Sequence, residues 1–162
     1  MDTLWAPWRM EYIVSDKSKE CIFCTAPQAG NDPDKKILYR GQNCFVILNI
    51  FPYANGHLLI APYRHLSCIT ALNDDELVES GKLTRKSMEI LRKEYCPDGF
   101  NVGYNIGKVG GAGFDEHIHG HVVPRWNGDI NFMPVLAETK TMPEHIEATF
   151  KRLAPLFHNI DI

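Results

Sequence analysis

No stretch of this 162-residue chain approaches the roughly 18–20 consecutive apolar residues that a membrane-spanning helix requires. Its first twenty residues carry Trp5, Trp8, Arg9 and acids where a secretory leader would have an unbroken apolar core, so the expected compartment is the cytoplasm. An excess of positive charge is also missing: 17 Lys and Arg stand against 20 Asp and Glu, a formal net charge of -3. Without a basic field, a nucleic acid polymer is not an expected partner. Cysteine is sparse and odd in number, at five, unlike the even disulfide framework of a small secreted protein. The chain has no internal repeat, no low-complexity tract and no Gly-x-x-x-x-Gly-Lys-Ser/Thr loop, so a P-loop kinase or ATPase is not supported.

What is present is a chain that is 44% hydrophobic and 23% charged, of a size for one core. A single domain over residues 1–162 is expected, with 1–20 packing as an arm. Ile37 to Arg40 and Cys44 to Ile50 are β-branched and aromatic around Gly41-Gln42-Asn43, a hairpin pattern. His57 to Pro62 reads as the next strand, Gly99 to Ile106 as another, Gly107 to Gly113 as a glycine-rich loop, and Glu116 to Pro124 as a final strand. Asn73 and Glu76 have the spacing of a capping box, and Leu77, Gly81, Thr84, Met88, Leu91 and Tyr95 recur at helical spacing before Pro97. Thr141 and Glu144 repeat that box ahead of Ile146, Phe150, Leu153 and Phe157, which predicts a C-terminal helix within 141–158. Strands joined mostly by short connections, with one long helix, predict an α+β domain whose antiparallel sheet carries helices on one face.

His117, His119 and His121 alternate with Ile118, Gly120 and Val122. Period-two spacing on a strand puts three imidazoles on one face, for which ordinary packing gives little reason. At roughly 3.3 Å per residue the first and third lie about 13 Å apart, too far for one ion with ligand bonds of about 2 Å. A division of roles follows, with one end of the row at a metal and the rest free for a substrate. Cys21 and Cys24 form a Cys-x-x-Cys pair without the strand–helix context of a thioredoxin-type site; two further ligands would complete a tetrahedral zinc site, and His65 and His117 are the candidates. Cys44, Cys68 and Cys96 sit among apolar neighbours and are expected to be buried. Beside the row, Asn105-Ile-Gly-Lys-Val-Gly-Gly-Ala-Gly113 offers main-chain N–H groups to an anion. Imidazoles next to anion-binding amides suit attack at phosphorus, with one His as nucleophile and another as donor to phosphoryl oxygens.

The run His-Ile-His-Gly-His-Val-Val resembles the histidine-triad (HIT) signature, together with His57 in Gly-His-Leu-Leu-Ile-Ala-Pro and Asn105. The opening Leu-Trp-Ala-Pro-Trp-Arg-Met-Glu-Tyr-Ile and the stretch Val-Val-Pro-Arg-Trp-Asn-Gly-Asp-Ile-Asn-Phe-Met-Pro-Val are similar to the bacterial diadenosine tetraphosphate phosphorylase and hydrolase branch. The resemblance implies a meander sheet with a long helix, a homodimer, and hydrolysis or transfer of nucleoside monophosphates. It implies His119 as nucleophile, His121 as a phosphate contact and His117 at the structural end of the row. Asn49, His57, Asn105 and the main chain of Gly111, Ala112 and Gly113 are then nucleotide-binding, with Asn49 standing where many relatives place an Asp that holds the ribose. Related uridylyltransferases bind zinc through a set that maps onto Cys21, Cys24, His65 and His117, which implies one structural zinc. The competing readings are a nucleotide-binding sensor with negligible turnover, a nucleoside phosphoramidase, and a metallohydrolase with the three histidines on zinc.

Overall fold

The computed structural model describes residues 20–129, 142–158 and 160–162. The arm with Trp5 and Trp8, and the expected helix cap Thr141, lie outside the described residues. Two short helices, α1 (Ile22–Gln28) and α2 (Asp32–Lys35), lead into a five-stranded antiparallel sheet. Its strands are β1 (Ile37–Arg40), β2 (Cys44–Leu48), β3 (Leu58–Pro62), β4 (Gly99–Tyr104) and β5 (Gly120–Arg125), in the order β1-β2-β3-β5-β4. The first three form a meander. The long helix α3 (Asp74–Tyr95) then carries the chain to the far edge, and β5 returns between β3 and β4. The terminal helix is α4 (Ile146–Phe157).

Strand alternation divides the core in two. Val46, Leu48, Leu58, Ile60 and Val122 face α3 and α4, where Leu83, Leu91, Phe150, Leu153 and Phe157 cover them. Phe45, Ile47, Leu59 and Ala61 face the other way, onto Phe23 and Ala26 of α1. Both faces of β2 and β3 are buried, as their apolar composition requires.

Three expectations need correction. The buried stripe of α3 is Glu76, Glu79, Ser80, Leu83, Ser87 and Leu91, whereas Leu77 and Gly81 are exposed. Apolar spacing misread this face because buried carboxylates hold part of it: Glu79 accepts the N–H groups of Gln42, Asn43 and Cys44 at 2.7, 2.5 and 2.9 Å, closing the β1–β2 turn. Cys44 is buried, but Cys68 is half-buried and Cys96 exposed. Cys96 terminates α3 in a left-handed conformation (φ 46°), its N–H on Arg92 O, just before Pro97. Finally, β5 begins at Gly120 rather than Glu116, since β3 pairs with it only as far as Ile60 and the chains then part. The Asn73–Glu76 capping box is present, and α4 is capped by the His145 side chain.

Candidate active site and metal cluster

The segment ahead of β5 keeps its alternation although it has left the ladder, because Ile118 N–H donates to Leu66 O and His117 Nε2 to Pro62 O at 2.9 Å. His117, His119 and His121 therefore still share the α1 side of the sheet. His119 and His121 have ring centroids 4.9 Å apart, and His121 lies 5.2 Å from His57 at the start of β3.

At the outer end, ligand atoms of Cys21, Cys24, His65 and His117 lie within 4.8 Å of one another. Cys21 Sγ is 3.3 Å from His117 Nδ1, Cys24 Sγ 3.3 Å from His65 Nδ1 and 3.6 Å from His117 Nδ1. Tetrahedral bonds of about 2.3 Å to sulfur and 2.0–2.1 Å to nitrogen require S···N edges of about 3.5 Å, so the cluster has the dimensions of a zinc site. The Pro62 carbonyl takes the Nε2 proton of His117 and leaves Nδ1 with its lone pair toward the thiols. Burial pushes His117 down to about 4, which keeps it neutral. Burial also pushes the Cys21 thiol up to about 11, so an ion entering here must displace its proton. Arg64, beside His65, forms a bidentate pair with Glu76 at 2.6 Å, which ties this end of β3 to the first turn of α3.

In the middle of the row, His119 Nδ1 sits 2.8 Å from His117 O. A carbonyl only accepts, so the proton is assigned to Nδ1 and the lone pair to Nε2. His119 is buried, which lowers its pKa below the usual range. Phe23 stacks on its ring at 4.6 Å.

At the inner end a relay of tautomers can be assigned. Tyr53 N–H donates to His57 Nδ1 at 3.0 Å, and Asn49 Nδ2 approaches the same atom at 3.2 Å. The His57 proton therefore belongs on Nε2, which faces His121 Nδ1 at 3.0 Å. His121 then carries its proton on Nε2, a buried atom with no hydrogen-bond partner among the described residues. Burial, with His119 beside it, pushes His121 down to about 4, so this donor is neutral. A buried N–H left open costs about 1–3 kcal/mol, and a phosphoryl oxygen would satisfy it.

Asn49 Oδ1 accepts Phe51 N–H at 2.9 Å, and its Nδ2 lies 3.2 Å from His57 Nδ1. The glycine loop is folded on itself. Gly111 N–H donates to Lys108 O and Ala112 N–H to Gly107 O, and Asn105 Nδ2 reaches Gly111 O at 3.5 Å. Gly111 needs its left-handed φ of 87° to make this turn. Sequence reasoning missed Tyr53, whose ring lies over His57 at 4.7 Å and His121 at 5.8 Å, because it sits in an irregular turn. It also missed Phe23, although its place inside Cys-Ile-Phe-Cys was a usable signal.

Several known proteins are similar to this chain. An AP-4-A phosphorylase of Mycobacterium tuberculosis is 36% identical over 163 aligned residues, covering 95% of this chain and 83% of that protein. An uncharacterized HIT-like protein of Methanocaldococcus jannaschii is 34% identical over 109 residues, covering 67% of this chain and 81% of its own length. A crystal structure of a Zn-bound histidine triad family protein from Mycobacterium smegmatis superposes with a TM-score of 0.66 at 25% identity, over 85% of this chain and 93% of that one. The HIT domain family matches residues 31–128, a span that holds all three alternating histidines, and the chain belongs to that family.

Proposed function

We propose that this protein is a nucleotidyl hydrolase or transferase that cleaves a dinucleoside polyphosphate at its α-phosphorus through a nucleotidyl-histidine intermediate. The observation that carries this reading is the pair of assigned tautomers: His119 presents a lone pair at Nε2 and His121, next to it, presents an N–H with no partner among the described residues. The His119 lone pair forms the P–N bond as the bond from phosphorus to the leaving polyphosphate oxygen breaks, and the electron pair departs with that oxygen. His121 Nε2–H steadies the charge on the non-bridging oxygens. Water or inorganic phosphate then attacks the same phosphorus and returns the lone pair to Nε2. His57 and Asn49 hold His121 in the donating tautomer. Asn105 and the amides of Gly111, Ala112 and Gly113 bind phosphate once Gly111 and Ala112 exchange their intraloop acceptors for phosphoryl oxygens. The similarity to the mycobacterial AP-4-A phosphorylase supports the substrate class.

Cys21, Cys24, His65 and His117 hold one structural zinc in this reading. When bound, the ion supplies a fixed cross-link between α1, the end of β3 and the histidine row. A reducing cytoplasm suits its two thiols. The open edge of β4 with Val102 half exposed, and Leu77 outward on α3, support a homodimer in which a second copy covers this side. Light scattering at the mass of one chain across micromolar concentrations would refute it.

Incubation with diadenosine tetraphosphate, with and without inorganic phosphate, tests the activity. A nucleotidyl intermediate captured by water gives AMP and ATP; captured by phosphate it gives ADP and ATP. Tight nucleotide binding without either product would assign a sensor instead, and cleavage confined to P–N esters would assign a phosphoramidase.

A further inference from the structure

The metal cluster and the row of histidines touch through one residue that neither motif counts. Phe23 lies between Cys21 and Cys24, in the first turn of α1, and is 1% exposed. Its ring stacks on His119 at 4.6 Å with 26° between planes, and lies 5.2 Å from His117. Phe114 closes on the Phe23 ring edge-on at 6.0 Å.

We propose that Phe23 is a positioning residue for His119, seated by the Cys21–Cys24 metal centre. Among the described residues one hydrogen bond holds His119, from Nδ1 to His117 O, and that bond alone does not fix the tilt of the imidazole plane. A flat ring lying nearly parallel to it removes that freedom and fixes the direction of the Nε2 lone pair. The Phe23 backbone is set in turn by its neighbours. Cys21 O accepts Cys24 N–H at 3.0 Å, Thr25 N–H at 2.9 Å and Thr25 Oγ1–H at 3.1 Å, while the two thiols point to His117 and His65. Cys21, two residues before Phe23, and Cys24, directly after it, both belong to the Cys–His cluster. His117 connects to His119 a second time, since it offers Nδ1 to the cluster and its own carbonyl to His119. Loss of the ion thus loosens the seat of the ring that holds the imidazole plane and leaves His117, whose carbonyl holds the His119 Nδ1, anchored by its Nε2 on Pro62 O alone. The proposal rests on His119 as the nucleophile for its effect on rate, but not for its effect on the ring.

The test uses the full, zinc-loaded chain and Phe23→Leu, which keeps an apolar filling but removes the flat face; Phe23→Met serves as a second filling if the first variant folds poorly. Four quantities are read: zinc per chain, the resonances of the His119 ring C–H groups by carbon-resolved NMR, the single-turnover rate with diadenosine tetraphosphate, and the steady-state KM for it. A stacked aromatic shields the ring protons beneath it. Phe23→Leu should keep its zinc and lose that shielding. Its rate at saturating substrate should fall roughly ten- to a hundredfold with KM changed by less than about twofold, the signature of lost orientation. Wild-type protein stripped of zinc by a chelator should lose the same shielding. Unchanged His119 resonances in Phe23→Leu, or an unchanged rate, would overturn the positioning role, as would a rate loss that only follows lost zinc or lost folding. Shielding that survives removal of zinc would overturn the seating by the metal. A wild type that forms no nucleotidyl adduct would count against nucleotidyl transfer, while the NMR arm would still decide whether Phe23 holds His119.

Discussion

The three inward histidines should differ in importance in a fixed order, His119 far above His121 and His121 above His57, and the structure sets the intervals. His119→Ala removes the atom that forms the P–N bond, and loss of a covalent nucleophile costs about 10⁵-fold or more. His121→Ala removes one oriented donor. Its Nε2–H is buried and has no partner among the described residues, so it meets phosphate without first breaking a hydrogen bond to any of them. Loss of such a donor costs about 10²–10³-fold, or roughly 3–4 kcal/mol of barrier. His57 has no part in bond formation in this scheme. Its Nε2 reaches His121 Nδ1 at 3.0 Å and keeps the His121 proton on the far nitrogen. A neutral hydrogen bond is worth about 0.5–1.5 kcal/mol, so His57→Phe, which keeps the ring and removes both nitrogens, should slow the reaction roughly 2- to 10-fold. Acid-quenched single turnovers on diadenosine tetraphosphate, with mass spectrometry of the peptide containing residues 117–121, give all three rates and the adduct itself. An active His119→Ala enzyme would refute the mechanism. A His57→Phe loss larger than that of His121→Ala would refute the relay, because the orienting residue would then matter more than the group it orients.

Other outcomes follow from the same contacts. Cys24→Ser should lower both bound zinc and melting temperature, read by metal analysis and thermal unfolding, and equal stability of metal-free and metal-loaded wild type would contradict a structural site. Gly41→Ala would drive a Cβ into the Glu79 carboxylate and to 2.7 Å from Cys44 O; a cost of about 2–4 kcal/mol is expected, and chemical denaturation showing less than about 0.5 kcal/mol would contradict it. The depressed pKa of His121 means that the unfolded chain takes up its proton first as acid is added. Stability from this group is therefore complete above about pH 6.5, is lost toward pH 4, and changes no further below that. His121→Gln should show a shallower fall in melting temperature over that range than wild type, and parallel curves would contradict the assignment.

The features legible in the sequence are those in which chemistry and local period coincide. Alternating histidines mark one face whether or not the strand ladder is formed, so the row survives even though β5 begins at Gly120. Cys21, Cys24, His65 and His117 are ligand types whatever the fold, and only their convergence had to come from tertiary structure. Strands β2 and β3 are apolar on both faces, hence recognisable; the order of the sheet, with β5 inside β4, is a property of the crossover by α3 and is not encoded in any one strand. The buried face of α3 was misread for a definite physical reason. Hydrophobic spacing presumes that a helix buries carbon, whereas Glu79 buries a carboxylate against three amides and Glu76 one against Arg64.

The same reason explains why Tyr53 and Phe23 escaped a reading by residue type. Neither side chain performs a bond-making step, and an aromatic ring in a turn or a short helix looks like any other piece of core. Their importance lies in what they touch: Tyr53 covers the nitrogen relay from His57 to His121, and Phe23 lies flat on His119. Phosphoryl chemistry by neutral imidazoles depends on the directions of lone pairs and N–H bonds more than on charge. A chain that uses this chemistry needs rigid, apolar surroundings to hold those directions, and here they are provided by residues outside the histidine signature.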